Sequence, residues 1–226
     1  MTERPILPAL RGGLVVSCQA PPGDPLEGPA FMAAMAVAAE RGGAVGIRAE
    51  GPDDIRAVRA AVTVPVIGLW KVGREGVYIT PTPGHAAAVA RAGADIVAFD
   101  ATRRPRPDGS TPGDVAAAVH AEGALAMADV ADADDAIAAL GAGADIVATT
   151  LSGNIPGSPA PSGPDLALVA ELAARVAAPV FAEGRIAYPE QARRAMDEGA
   201  FAVVVGTAVT APGAITARFA AALAPR

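Results

Sequence analysis

Arg91-Ala92-Gly93-Ala94-Asp95 decides how this chain is read, because it closes one element and opens another. Alanine-rich residues with helical spacing precede it, Gly84 to Ala92, and an apolar run starting near Ala94 follows. Glycine stops a helix by taking the left-handed conformation that other residues avoid. A short run rich in valine and isoleucine, without polar alternation, is the pattern of a strand buried on both faces of a parallel sheet. Glu40-Arg41-Gly42-Gly43-Ala44, Gly141-Ala142-Gly143-Ala144-Asp145 and Glu198-Gly199-Ala200 repeat the same grammar.

Working outward from these joins, apolar runs begin near Gly13, Ala44, Pro65, Ala94, Ala124, Ala144, Pro179 and Phe201. Helical segments lie at Ala30 to Arg41, Asp53 to Ala61, Gly84 to Ala92, Asp114 to Glu122, Asp132 to Ala142, Asp165 to Ala174, Glu190 to Glu198 and Gly213 to Leu223. Eight strand–helix units predict an α/β fold, a single (β/α)8 TIM barrel occupying residues 1–226 as one domain. The rival, an open doubly wound sheet, calls for G-x-G-x-x-G after the first strand, and that motif is absent there. Gly153 to Pro164 is long and Pro/Gly/Ser-rich for a strand–helix connection, and reads as a mobile active-site loop.

Barrel chemistry sits where strands end, and every run here ends in polar residues or glycine. In order these are Ser17-Cys18-Gln19, Arg48-Ala49-Glu50, Lys71, Asp100-Ala101-Thr102, Asp129, Thr149-Thr150-Leu151-Ser152-Gly153, Glu183-Gly184-Arg185 and Gly206-Thr207-Ala208. Lys71 closes the apolar run Val64 to Trp70. An ammonium there loses hydration, which lowers its pKa and makes it a usable base. Glu183 closes Ala178 to Ala182 in the equivalent way, so the two form an acid–base pair. After the seventh and eighth strands, Gly184-Arg185 and Gly206-Thr207 form the pattern of a phosphate cradle, with glycine allowing close backbone approach. The expected ligand is a small phosphorylated metabolite.

Bulk properties narrow the classes. Net charge is −6, and the longest basic patch, Arg103-Arg104-Pro105-Arg106, is short and proline-broken, which argues against nucleic acid. No apolar stretch reaches the length of a membrane span without Gly, Pro or charge. Cys18 is the only cysteine, so no internal disulfide forms, and a reducing cytoplasmic location is expected. Met1-Thr2-Glu3-Arg4-Pro5 lacks the apolar core of a signal peptide. His85 and His120 fall in helical segments away from the strand ends, so no metal site is expected. Metal-free chemistry with a base beside an anionic sugar points to proton transfer next to a carbonyl.

Several segments together resemble the N-acylglucosamine-6-phosphate 2-epimerase (N-acetylmannosamine-6-phosphate 2-epimerase) family of sialic acid catabolism. They are Gly13 to Gln19, Ala44 to Gly51, Pro65 to Lys71, Val77 to Thr82, Asp100 to Thr102, Ala126 to Asp129, Thr149 to Gly153 and Ala182 to Ile186. The resemblance implies a cofactor-independent TIM-barrel isomerase acting on a phosphorylated N-acetyl amino sugar, and it allows a homodimer. It puts a catalytic lysine at Lys71 and a glutamate at Glu183. Gln19, Arg48 and Asp129 match further polar positions, with Thr150 a fourth substrate-binding candidate. Gly184, Arg185, Gly206 and Thr207 are the phosphate-binding candidates.

Two positions depart from the family pattern. Val209-Thr210-Ala211-Pro212 stands where the family commonly reads Ile-Thr-Arg-Pro, so Ala211 replaces an arginine, and Asn154 replaces a tyrosine. Losing a charged phosphate contact costs about 1.5–3 kcal/mol. Arg185, or a residue such as Arg218, is the candidate to compensate. Two other readings stay open on the residues alone: an aldolase using Lys71 as a Schiff base, and a catalytically silent barrel that binds a phosphosugar.

Overall fold

Every apolar run of the sequence becomes one strand of a closed parallel barrel with strands in sequence order. The structure, a computed structural model, describes residues 6–158 and 162–223. Met1 to Pro5 and residues 159–161 of the Gly153–Pro164 loop lie outside the described residues.

A short helix α1 (Ile6–Leu10) precedes β1 (Leu14–Cys18). Then follow α2 (Pro29–Arg41), β2 (Gly46–Glu50), α3 (Pro52–Ala61), β3 (Val66–Leu69), α4 (Pro83–Arg91), β4 (Ile96–Asp100) and α5 (Pro112–Ala121). The second half has β5 (Leu125–Asp129), α6 (Ala133–Gly141), β6 (Ile146–Ala148), a 3-10 turn (Thr149–Leu151), α7 (Leu166–Arg175), β7 (Val180–Glu183) and α8 (Pro189–Asp197). It ends with β8 (Ala202–Val205), α9 (Thr207–Thr210) and α10 (Pro212–Leu223). The barrel closes where Val15 and Val16 of β1 pair with Val204 and Val205 of β8.

Successive strand residues point to opposite faces, and this alternation builds two apolar layers. Val15, Ile67, Ile96, Met127, Ile146 and Phe181 fill the barrel interior. Val16, Ile47, Val66, Val97, Phe99 and Val147 face outward against the helices. Continuing each inward row to the strand's end gives Ser17, Arg48, Asp100, Asp129 and Glu183. The register that fills the core therefore also aims these polar groups at one mouth.

Helix starts are set locally. Thr82 accepts from the His85 backbone N–H at the start of α4, and Thr111 and Asp114 form a reciprocal capping box on α5. Proline stands in the first turn of α2, α3, α4, α5 and α8, where no backbone donor is needed. His85 thus belongs to a helix start, and its ring meets Trp70 edge-on. His120 pairs with Asp145 at 2.8 Å. Among the described residues no helix is long and apolar enough to cross a membrane.

The final helix departs from the barrel pattern. The other long helices pack on strands, whereas α10 has no buried residue and lies mainly against α9. Phe219 and Leu223 are 68% and 85% exposed. Where an eighth barrel helix would lie, a groove of about 380 Å³ remains, lined by Leu14, Ala192, Met196, Val203, Val205 and Val209 among others.

Candidate active site

A cavity of about 1390 Å³ opens at the ends of the strands. Gln19, Lys71, Thr150, Glu183, Gly184, Arg185, Gly206 and Thr207 all line it, so eight of the sequence-derived candidates share one space. Arg48 and Asp129 do not line it. They lie fully buried behind Glu183, 1% and 0% exposed.

Lys71 follows β3 and is aimed by the chain beyond it. The segment doubles back as a hairpin in which Lys71 bridges Ile79 in antiparallel fashion. Val72 N–H donates to the Tyr78 carbonyl and Thr80 N–H to the Trp70 carbonyl, at 2.9 and 2.7 Å. Thr80 takes φ 45°, a costly backbone state for a β-branched residue. Its buried hydroxyl donates to the Ala98 carbonyl at 2.7 Å and accepts from Trp70 N–H at 3.1 Å. Local strain is thus held by hydrogen bonds that tie the hairpin to β3 and β4.

The Lys71 amine donates to Gln19 Oε1 at 2.6 Å, and its backbone N–H donates to Glu50 Oε1 at 3.0 Å. The side chain reaches solvent through the cavity, yet protein surrounds most of it. Loss of hydration lowers its pKa, assisted by the nearby Arg48 charge and opposed chiefly by Glu50.

Glu183, at the end of β7, faces Lys71 from four strands away, which in an eight-stranded barrel is the opposite wall. Burial pushes its carboxyl up to about 7. Asp129 adds to the rise, while Arg48 and Lys71 oppose it. Arg48 Nη1 donates to Glu183 Oε2 at 2.7 Å, and Nη2 donates to Asp129 Oδ2 at 2.6 Å. Burial works against the guanidinium charge, but the two carboxylates outweigh it and hold its pKa above the ordinary value. Thr150 donates its hydroxyl to Asp129 Oδ1 at 2.9 Å. The result is a buried cation between two carboxylates, with only Glu183 presented to the cavity.

The loops after β7 and β8 meet close by. Gly184 has φ 109°, a region open chiefly to glycine, and Arg185 follows at φ 55°. At Gly206 an added Cβ would come within 3.3 Å of Ser17 Cβ. Arg185 spends its guanidinium on backbone, donating to the Gly163 carbonyl at 2.9 Å and the Ser152 carbonyl at 2.7 Å. Ala211, Ala214 and Arg218 complete that end of the cavity. Asn154 also lines the cavity and donates to the Thr150 carbonyl at 2.7 Å.

Sequence reasoning missed the Thr80 clasp and the parts played by Glu50 and Tyr78. Glu50 stood among the strand-end residues, and Tyr78 lay in a quoted segment, but nothing in the spacing marked a hairpin. Among the described residues no group of three or more His, Cys, Asp or Glu could hold a metal ion. Cys18 is buried, and burial pushes its thiol up to about 12, which leaves it unreactive.

This geometry has close relatives. The sequence pattern of the family described as "NanE: Putative N-acetylmannosamine-6-phosphate epimerase" matches residues 32–224. The chain belongs to this epimerase family. A protein of Cutibacterium acnes named "Putative N-acetylmannosamine-6-phosphate 2-epimerase" is 51% identical over 221 residues, covering 96% of each chain. One of the same name from Caldanaerobacter subterraneus is 49% identical, covering 95% of this chain and 92% of the other. The solved N-acetylmannosamine-6-phosphate 2-epimerase of Clostridium perfringens superposes with TM-score 0.95 at 40% identity, over 99% of this chain and 98% of that one. A thiamine phosphate pyrophosphorylase of Pyrococcus furiosus, 17% identical with TM-score 0.62 over 92% and 91% of the chains, shares the fold alone. The epimerase family thus spans nearly the whole barrel, including the strands that carry Lys71 and Glu183.

Proposed function

We propose that this protein interconverts N-acetylmannosamine 6-phosphate and N-acetylglucosamine 6-phosphate by moving a proton at C2. The observation that carries this reading is the pairing of Lys71 and Glu183 on opposite walls of one cavity, within a chain of the epimerase family. C2 of the open-chain sugar lies next to the C1 aldehyde, so its proton is acidic enough to remove. Lys71, with its lowered pKa, takes that proton as the neutral amine. Negative charge passes to O1. Glu183, holding a proton near neutrality, supplies one from the opposite wall, and return of hydrogen to the other face inverts C2. Arg48 acts through Glu183 and Asp129, fixing Glu183 at the cavity wall while it pairs with the buried Asp129.

Gln19 orients the Lys71 amine and is placed to meet the sugar beside it. Thr150, on the cavity wall next to Asp129, is placed to meet a substrate hydroxyl. The backbone at Gly184, Arg185, Gly206 and Thr207 receives the phosphate. The reaction as written needs no cofactor. A cytoplasmic place in amino-sugar and sialic acid breakdown fits the lone cysteine and the family resemblance.

The same reading includes a homodimer, supported by the apolar face of α10 and the apolar groove that lacks a helix. A 12-residue helix is about 18 Å long. Among the described residues α10 is the helix of that chemistry without a seat, so the occupant we infer is α10 of a second copy. Reciprocal insertion closes a two-fold symmetric pair.

Proton NMR in D₂O with N-acetylmannosamine 6-phosphate tests the reaction. The expected result is N-acetylglucosamine 6-phosphate carrying deuterium at C2, with conversion lost in Lys71→Ala. No conversion and no C2 exchange by folded protein overturns the reading. Borohydride inactivation through a Lys71 adduct would instead mark Schiff-base chemistry.

A further inference from the structure

The cations around the cavity differ in what they already hold. Arg185 is committed to two backbone carbonyls, and Lys71 is bonded to Gln19. Arg74 lines the cavity from the loop after β3, across the mouth from the Gly184 and Gly206 loops. Arg218, on α10, lines the cavity at the same end as those two glycine loops. Among the described residues it has no hydrogen bond or ion pair. Its guanidinium carbon instead lies 5.1 Å from the centroid of the Tyr188 ring. Tyr188 follows Arg185 by three residues, so that stack holds Arg218 over the loop that carries Gly184 and Arg185.

A guanidinium stacked on an aromatic face satisfies its flat surface and leaves its in-plane N–H donors unspent. Those donors form the planar fork that grips phosphate oxygens two at a time. The join between α9 and α10, Thr210-Ala211-Pro212, lies at this end of the cavity with no charge of its own. We infer that Arg218, presented by Tyr188, is the side-chain cation that binds the substrate's phosphate in this chain, standing in for the charge missing at Ala211. This rests on the phosphosugar reading above and names the residue that gives that reading its preference for a phosphorylated ligand. Tyr188 is then a positioning residue: it touches the guanidinium and not the substrate.

The test compares wild type, Arg218→Ala, and Arg218→Ala combined with Ala211→Arg. Each is assayed with N-acetylmannosamine 6-phosphate and with unphosphorylated N-acetylmannosamine. Arg218→Ala is expected to raise KM for the phosphorylated sugar about 10- to 100-fold, the worth of a charged contact, with kcat changed far less. Ala211→Arg in that background is expected to recover most of the loss. Activity on the unphosphorylated sugar should not respond to either change. A KM within twofold of wild type in Arg218→Ala, or an equal loss on both sugars, overturns the inference and leaves the epimerase reading standing. If wild type shows no turnover, the epimerase reading fails. Calorimetric titration of the same proteins with N-acetylmannosamine 6-phosphate then decides the inference: weaker binding to Arg218→Ala supports it, and equal binding overturns it.

Discussion

Arg48 and Glu183 meet at 2.7 Å inside the barrel although 135 residues separate them along the chain. β2 and β7 are not neighbours in the sheet, so only barrel closure brings these side chains together. The guanidinium also holds Asp129, so one buried cation anchors both acidic side chains. Removing one partner of a buried ion pair is far more costly than replacing the whole pair, because a charge is left stranded. Arg48→Met is therefore expected to destabilise the fold by about 3–5 kcal/mol. Urea denaturation of wild type and variant measures it. Arg48→Lys should recover only part, since an ammonium cannot fork to both carboxylates.

The acid–base pair predicts a pH profile. The proposed mechanism needs Lys71 neutral and Glu183 protonated. kcat/KM should be bell-shaped, with one limb near 7 set by Glu183 and the other set by Lys71, whose pKa burial lowers. Glu183→Gln should abolish the limb near 7. If Glu183 returns hydrogen to C2, this variant will still exchange C2 hydrogen for deuterium without forming the epimer. Stability carries the same signature. Between the ordinary value of 4.5 and about 7, folded Glu183 holds a proton that the unfolded chain has released. Its contribution to stability therefore falls as pH rises through that window. Thermal melts of wild type and Glu183→Gln across this range should show the difference.

Thr80 gives a third prediction. Thr80→Val keeps the shape but removes the hydroxyl that links Trp70 N–H to the Ala98 carbonyl. Stability should drop by about 1–3 kcal/mol, the cost of leaving buried polar groups unpaired. The hairpin that aims Lys71 should also loosen. An expected fall in kcat of about tenfold or more, with KM little changed, reflects misplacement of the reacting group and not lost binding. A variant that melts earlier but turns over normally would show that the clasp is structural alone.

The barrel could be read from the chain because each apolar run is short and unbroken and most of the helices between the runs stop at glycine, α3 and α7 being the exceptions. The mouth residues could be read because inward-facing positions recur every second residue, which carries Arg48, Asp129 and Glu183 to the same end. Spacing does not reveal which of them see solvent. Arg48 and Asp129 are sealed in the barrel interior, where Arg48 also touches the Met127 sulfur at 3.8 Å, and of the three only Glu183 lines the cavity. The hairpin after β3 was also hidden, since Val72 to Thr80 holds glycine, charge and apolar residues in no strand-like alternation. α10 misled in a different way. Its apolar periodicity is that of an eighth barrel helix, yet the helix leaves that face exposed, and periodicity does not say whether such a face packs on its own barrel or on another copy.

That last point is testable. Phe219 and Leu223 make no part of the barrel core, so a double Phe219→Asp, Leu223→Asp variant should remain folded by circular dichroism. If α10 seats in the groove of a second copy, wild type should scatter light with twice the 22.3 kDa mass of one chain, and the variant with the mass of one. The groove and the active cavity share Ile186, Ala187 and Ala208, which back the Gly184 and Gly206 loops. Arg218 rides on the same helix. Losing the exchange should therefore also raise KM for the phosphorylated sugar, although neither substituted residue lines the cavity. A monomeric wild type, or a variant that stays dimeric, would show that α10 does not join two copies. A monomeric variant with unchanged KM would show that the helix holds the pair together without bracing the phosphate end.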